Sequence, residues 1–342
     1  MKVGVLSGGG DAPGINAVIR AIVRRGIQNY DYEIVGIRDG WGGLLHGEYM
    51  PLDLNTSSGI LNRGGSILGT SRTNPFKTEK GPELIVKNAR SEVLEAIVAI
   101  GGDDTLGVAQ RMNDYGLKCV GVPKTIDNDL AGTDYTFGFN TAFSIATEAI
   151  DRLHTTAETH HRVIIVEVMG RYTGWIALEA GLAGGADVIL IPEKPFDVDE
   201  VSRIIKRRQK RGRNFSIIVV AEGAKPKGGV EIVYSENLDE FGHIRLGGVG
   251  YYLGKEIERC INFETRVVVL GHLQRGGAPT AFDRILATRF GVGAIDLVHQ
   301  GKFGQMVALK GNKITSVPLK EVVGRRKTVD LELYDIASVF FG

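Results

Sequence analysis

Short β-branched runs recur along this chain, separated by stretches of helical periodicity, and that alternation constrains the fold more than any other feature. The runs are Lys2 to Leu6, Ile34 to Ile37, Ala96 to Ile100, Val120 to Val122, Arg162 to Val168, Val188 to Ile191, Ile217 to Ala221 and Arg266 to Leu270. Strands that alternate with helices pair in parallel, and the crossover helices cover both faces of the sheet. Almost every run ends in a polar or glycine-rich cluster: Ser7 to Asp11, Gly101 to Asp104, Pro123 to Asp127, Met169 to Arg171, Glu222-Gly223 and Gly271-His272. Ligands of open α/β sheets bind outside the carboxyl ends of the strands, so these clusters are where function is expected. The chain holds 47 glycines, about twice ordinary usage and without any repeat, which assigns glycine to special backbone positions.

A length of 342 residues allows two domains, each with its own core. With 41 basic and 40 acidic residues, nothing at whole-chain level recommends nucleic acid or a membrane surface as a partner, so any anion site must be local. No apolar run approaches the ~20 residues of a membrane span. Cys119 and Cys260 sit in unrelated segments and no signal-like pattern opens the chain, which predicts packed, reduced thiols and a cytoplasmic location.

Three strings could carry chemistry. Ser7 to Gly14, followed by a helical pattern from Ile15 to Gln28, reads as strand, glycine-rich turn and helix, whose N–H groups suit a phosphate. It matches neither the dinucleotide nor the Walker fingerprint, and a tight turn without a ligand fits it equally. Gly101-Gly102-Asp103-Asp104-Thr105 adds two adjacent carboxylates, which call for a cation such as Mg²⁺ or serve as helix caps. Pro123-Lys124-Thr125-Ile126-Asp127-Asn128-Asp129 is the most specific. Acceptors, a lysine and a hydroxyl directly after a strand are poor for packing and suited to phosphoryl transfer.

These strings, together with Asn62 to Ser66, Gly69-Thr70-Ser71-Arg72, Arg162, Met169-Gly170-Arg171, Glu222-Gly223 and Gly271 to Gly277, resemble the phosphofructokinase family in order and over most of the chain. The resemblance implies two Rossmann-like three-layer α/β/α domains with mostly parallel sheets. Residues 1–138 plus 276–325 would bind the phosphoryl donor, and 139–275 plus 326–342 fructose 6-phosphate. It implies Asp127 as the base that accepts the proton of the sugar hydroxyl, with Thr125 toward the transferring group and Asp129 tuning the base or metal. Asp103 is similar to the family's Mg²⁺-associated carboxylate. Gly10, Arg72, Asp104, Thr105 and Lys124 would face the donor, and Arg171 would share with Arg72 the clamp on developing charge, a role that suits a forked, always charged guanidinium. Met169, Gly170, Arg171, Glu222, His272 and Arg275 match the sugar phosphate ligands of one subunit, alongside Thr125 and Asp127. Arg162 and Arg266 match arginines that reach in from a neighbour, so a homodimer or homotetramer with shared sites is expected.

The chain departs from the ATP-using pattern at two positions, where Asp104 and Lys124 replace glycine. Both changes put charge into the donor site, and they point to pyrophosphate ahead of ATP as the donor. The family's basic effector site is only partly kept: Arg20, Arg24, Arg211 and Arg213 match it, no arginine stands near Leu54, and His154 replaces another. A non-catalytic sugar phosphate sensor on the same fold would be expected to have lost Asp127 or Asp103, and neither is lost. The basic run Lys206 to Arg213 reads as a solvated helix face, the pair His160-His161 lacks a third metal ligand, and the tail ending Val339-Phe340-Phe341 is expected to dock.

Overall fold

The computed structural model describes residues 1–229, 233–235, 245–261 and 263–342. In chain order the strands are β1 (Lys2–Ser7), β2 (Glu33–Ile37), β3 (Tyr49–Leu52), β4 (Ala96–Gly101), β5 (Cys119–Thr125), β6 (Phe137–Gly138), β7 (Val163–Val168), β8 (Val188–Leu190), β9 (Ser216–Ala221), β10 (Val233–Ser235), β11 (Arg245–Leu246), β12 (Thr265–Val269), β13 (Gln305–Lys310) and β14 (Lys313–Pro318). The main helices are α1 (Ile15–Tyr30), α2 (Gly40–His46), α3 (Gly81–Ser91), α4 (Asp103–Asp114), α5 (Phe139–His160), α6 (Trp175–Ala183), α7 (Val198–Lys210), α8 (Val249–Cys260) and α9 (Ala281–His299), followed by the short α10 (Leu319–Val322) and α11 (Leu331–Ser338). Arg162 lies one residue before β7 and Arg266 lies within β12.

Two compact units result, Met1–Asn140 with Arg275–Arg326 and Thr141–Gln274 with Lys327–Gly342. In the first, an eight-stranded sheet runs β14-β13-β5-β4-β1-β2-β3, with β6 added beside β5. Its centre from β13 to β2 is parallel, and antiparallel strands close both ends. Every residue of β4 is buried, as expected for a strand covered on both faces. The core under α1 and α9 is built from residues such as Ile15, Ile19, Val98, Val122, Phe137 and Phe290. The chain leaves β1 toward β2 and returns to place β4 on the opposite side, so the order reverses between β1 and β4. That reversal opens a crevice at the carboxyl ends, where the turns after Ser7 and Gly101 begin.

The second unit repeats the logic with a four-stranded parallel sheet, β12-β7-β9-β8, packed on residues that include Ile165, Val188, Ile218, Leu253 and Ile257. Here the reversal lies between β7 and β12. Buried Glu167 of β7 caps α8 by accepting from the N–H groups of Gly248 at 3.0 Å and Gly250 at 2.8 Å. Basic α7 turns most of its cations to solvent, but Arg208 folds inward to an ion pair with Asp187 at 2.7 Å.

The sequence expectation of a docked tail holds only in part. Val339 and Phe340 stay 78% and 66% exposed; the backbone carbonyls of Phe341 and Gly342 accept instead from Arg207 and Arg211, and the Phe341 ring packs edge-on against Tyr334. Strands β3, β13 and β14 also went unpredicted, and all three belong to the antiparallel margins or the β13–β14 hairpin. No helix among the described residues is long and apolar enough to cross a membrane.

Glu167 gives a direct test of the second unit's packing. Replacing it with Ala orphans two N–H groups in the interior, each costing about 1–3 kcal/mol. Urea unfolding should therefore show a loss of about 2–4 kcal/mol, and an unchanged midpoint would contradict the capping role.

Candidate active site

In the first unit the turn after β1 is fixed from three sides. Gly8 N–H donates to Ile100 O at 3.0 Å, Gly9 N–H to Ser71 O at 2.8 Å, and the Thr70 hydroxyl to Gly9 O at 2.7 Å. Gly9 has φ of 80°, a left-handed conformation that glycine adopts without penalty. From beneath, Lys124 at the end of β5 donates from Nζ to Gly8 O at 2.9 Å and to Gly10 O. At position 10 the Arg275 guanidinium lies close over the backbone: a Cβ there would stand 2.9 Å from its Nη1 and push that side chain aside.

Lys124 is only 3% exposed. No carboxylate lies within ion-pair distance of its ammonium among the described residues, and two of its three N–H donors are taken by carbonyls. Burial depresses its pKa to about 7; nearby Arg275 and Arg72 push in the same direction, and Asp11 and Asp127 oppose them. The result is a sealed ammonium, flanked by two guanidinium groups, on the loop that follows β1. A buried cation with no carboxylate at ion-pair distance is costly in a resting protein and well suited to a polyanion.

Asp103 and Asp104 open α4, and Gly102 rather than either carboxylate occupies the cap position, without a side-chain cap bond. Asp103 Oδ1 accepts from Gly324 N–H at 2.8 Å. Thr105 is buried beneath the glycine turn: a Cβ on Gly8 would lie 2.7 Å from its Oγ1, and one on Gly101 2.3 Å from its Cβ. Its carbonyl accepts from Trp41 Nε1 at 3.2 Å, so the structure gives Thr105 a packing role under the turn. No set of three His, Cys, Asp or Glu side chains that could hold a metal occurs among the described residues. Mg²⁺ does not need one, since it keeps waters and takes one or two carboxylates plus substrate phosphates; Asp103, a hard oxygen donor beside the turn, fits that pattern.

Beyond β5, Asp127 is 8% exposed and its N–H donates to Thr125 Oγ1 at 3.0 Å. Asn128 adopts φ of 53°, and its Oδ1 accepts from Thr136 N–H at 3.1 Å. Backbone strain of this kind persists only where surrounding contacts enforce it. That bond to Thr136, eight residues on, is one of the contacts that hold Asn128 in place within the Asp127–Asp129 segment. Asn16, another motif residue, serves as scaffold by holding Arg63 O, Gly64 O and Ile67 N–H.

In the second unit the turn after β7 carries Met169, Gly170 and Arg171. Arg171 has φ of 50°, and its N–H donates to Glu222 Oε1 at 3.0 Å. Gly223 is required behind it, because a Cβ there would lie 1.9 Å from Arg171 O. Arg162 and Arg266 are brought together by Glu264, which accepts from Arg162 Nε at 2.7 Å through one oxygen and from Arg266 through the other. The bond from Arg162 holds the Glu264 carboxyl below its usual range. His272 is exposed on the turn after β12, whereas Arg275 falls in the first unit, over Gly10.

Two residues of this arrangement were not singled out in the sequence. Glu264 could have been found only as the residue two positions before Arg266. Gln274 is fully buried; its Oε1 accepts from Met169 N–H at 3.0 Å, and its Nε2 has no partner among the described residues. Its place between His272 and Arg275 in a quoted motif was the signal. At the matched effector positions, His154 Nε2 lies 2.8 Å from Gly184 O and Arg211 holds Gly342 O.

Comparison with known proteins agrees with this architecture. A relative from Streptomyces coelicolor (strain ATCC BAA-471 / A3(2) / M145) named pyrophosphate-fructose 6-phosphate 1-phosphotransferase is 60% identical over 100% of both chains. A second protein of the same organism, named ATP-dependent 6-phosphofructokinase 3, is 52% identical over 96% of both chains. The crystal structure of a pyrophosphate-dependent phosphofructokinase from Marinobacter aquaeolei superposes with a TM-score of 0.79 at 26% identity, covering 97% of this chain and 86% of that one. A family model described as phosphofructokinase matches residues 2–298. With the motif strings standing at the carboxyl ends of two parallel sheets, and with full-length relatives well above the threshold of chance, this chain belongs to the phosphofructokinase family.

Proposed function

We propose that this chain is a phosphotransferase that moves a phosphoryl group from pyrophosphate to the 1-hydroxyl of D-fructose 6-phosphate, giving fructose 1,6-bisphosphate and inorganic phosphate in a reversible glycolytic step. The donor assignment rests on Asp104 at the start of α4, taken together with Lys124, a buried amino group bonded to the Gly8–Gly10 turn with no carboxylate at ion-pair distance among the described residues. A relative at 60% identity bears the name of this activity.

In this reading the first unit holds the donor. Gly10 lets phosphate oxygens approach the backbone, with Thr105 packed beneath the turn, and Lys124 and Arg72 supply positive charge. Asp103 would hold Mg²⁺, which when bound neutralises the phosphate oxygens. Asp127 accepts the proton of the 1-hydroxyl, with Thr125 beside the transferring group and Asp129 tuning the base. Arg171, fixed by Glu222, stabilises the charge that develops on transfer. Met169, Gly170, Glu222, His272 and Arg275 bind the sugar phosphate; Arg162 and Arg266 reach the site of a neighbouring subunit, which makes the active unit at least a dimer. Two reduced thiols, one of them pushed further from ionisation by burial, suit the cytoplasm.

Asp104 discriminates against a nucleotide. A carboxylate ~4 Å from an α-phosphate costs about 4 kcal/mol at an effective dielectric near 20, worth a factor of about 10³. Pyrophosphate ends before that point. Purified protein should therefore show kcat/KM for pyrophosphate at least about 10²-fold above that for ATP, and Asp104→Gly should narrow the gap by admitting ATP. Equal or better use of ATP by the unaltered protein would defeat the assignment.

The shared-site reading is tested by complementation. Asp127→Ala should lower turnover by about 10²-fold or more, and Arg162→Ala should be similarly impaired. Mixed subunits of the two should recover activity through hybrid sites. Verified subunit exchange without recovery, or a fully active monomer in sedimentation, would contradict it.

A further inference from the structure

We infer that Lys124 is the general acid of this reaction, giving a proton from Nζ to the oxygen of inorganic phosphate as it leaves. The inference rests on pyrophosphate as the donor and adds to it a chemical step.

The need arises from the leaving group. When the P–O bond of ionised pyrophosphate breaks, the departing group is phosphate with a fresh charge on the former bridging oxygen, and without a proton that oxygen is strongly basic. A nucleotide donor leaves a diphosphate, which is stable without one. General acid catalysis is worth most where the leaving atom is most basic and the acid titrates near the working pH.

The charged groups facing Lys124 come from each segment around it: Asp11 from the glycine turn, Arg72 from the Gly69–Arg72 loop, Asp127 beyond β5, and Arg275 over Gly10. The two arginines stay charged and have no proton to give. Asp127 is engaged in the opposite direction, taking a proton from the sugar. Lys124 remains, and its environment holds it near neutrality, at about 7. Geometry supports the assignment independently. Gly8 O and Gly10 O fix the ammonium on the donor turn, and the third N–H has no acceptor among the described residues.

The step balances as follows. The 1-hydroxyl oxygen forms a bond to the transferred phosphorus and its proton passes to Asp127. The bond from that phosphorus to the bridging oxygen breaks, and the electron pair on that oxygen takes a proton from Nζ. Phosphate leaves as the hydrogen phosphate dianion, Lys124 is left as the neutral amine, and solvent exchange returns one proton to Lys124 and removes one from Asp127. In reverse, the neutral amine deprotonates phosphate as it attacks.

The test separates charge from proton donation. Lys124→Arg keeps the charge and cannot release a proton, whereas Lys124→Met loses both. We expect both variants to fall about 10²- to 10⁴-fold in kcat with pyrophosphate, with Lys124→Arg retaining pyrophosphate affinity by calorimetry to within about tenfold. Lys124→Arg with kcat near that of the unaltered protein would overturn the inference and leave pyrophosphate as donor intact. If neither variant folds, the unaltered protein decides. Its kcat/KM for pyrophosphate should fall tenfold per pH unit above a limb that begins near about pH 7, and Arg275→Ala should move that limb to higher pH. A flat profile to about pH 9.5 would overturn the inference. Absence of any turnover with pyrophosphate would instead defeat the donor assignment itself.

Discussion

A lysine ammonium sealed from water, with no carboxylate at ion-pair distance among the described residues, is the constraint on which the first unit is organised. Desolvation of a full charge is among the costliest arrangements a folded chain can hold. Here it is partly offset by two backbone carbonyls, and those carbonyls point at Nζ only because the turn folds through Gly9 at φ of 80°. Arg275 then lies where a Cβ on Gly10 would stand, and Thr105 fills the space that Cβ atoms on Gly8 and Gly101 would claim. Glycine content, the one abnormal feature of composition, is thus explained at these positions by approach distance. In the proposed reading, bound pyrophosphate would add the negative charge that Asp11 and Asp127 supply only from a distance.

The second unit reaches a similar degree of preorganisation by a different route. Arg171 adopts a left-handed backbone conformation in which its N–H donates to Glu222, with Gly223 clearing the space behind its carbonyl. Arg162 and Arg266 are clamped side by side on Glu264. An exposed ion pair of this kind adds little stability. Its effect is on geometry, since it holds two guanidinium groups together at the strand edge from which they are proposed to serve a neighbouring subunit.

The catalytic strings were legible because chemistry and packing disagree at them. Asp127, Asn128 and Asp129 after an apolar strand, or two aspartates after Gly101-Gly102, have no reason to exist in a core, and each stands at the carboxyl end of a parallel strand as the alternation predicts. The parallel strands themselves were legible because burial on both faces writes an unbroken apolar run, as in Ala96 to Ile100. What could not be read has an equally physical cause. Strand β14 alternates exposed and half-buried residues at the sheet margin, so it lacks that run. The resemblance places Thr105 at the donor, and the structure adds that its side chain fills the space under Gly8 and Gly101. Glu264 and Gln274 act on Arg162 and Met169, each more than a hundred residues away, so their local setting marks them without showing what they hold. The tail docks through Val329, Tyr334, Ala337, the Phe341 ring and its last carbonyls, while Val339 and Phe340 stay exposed.

Whether Lys124 gains its charge as pyrophosphate binds is measured most directly by proton uptake. Calorimetric titration with magnesium pyrophosphate at pH 8, in buffers of different ionisation enthalpy, gives the protons taken up per site. A lysine held near 7 is mostly neutral at that pH, and a bound polyanion raises its pKa, so the unaltered protein should take up about one proton more than Lys124→Met. The difference should shrink at pH 6, where Lys124 already carries its proton. Equal proton counts in the two proteins at pH 8, with both binding pyrophosphate, would contradict the account.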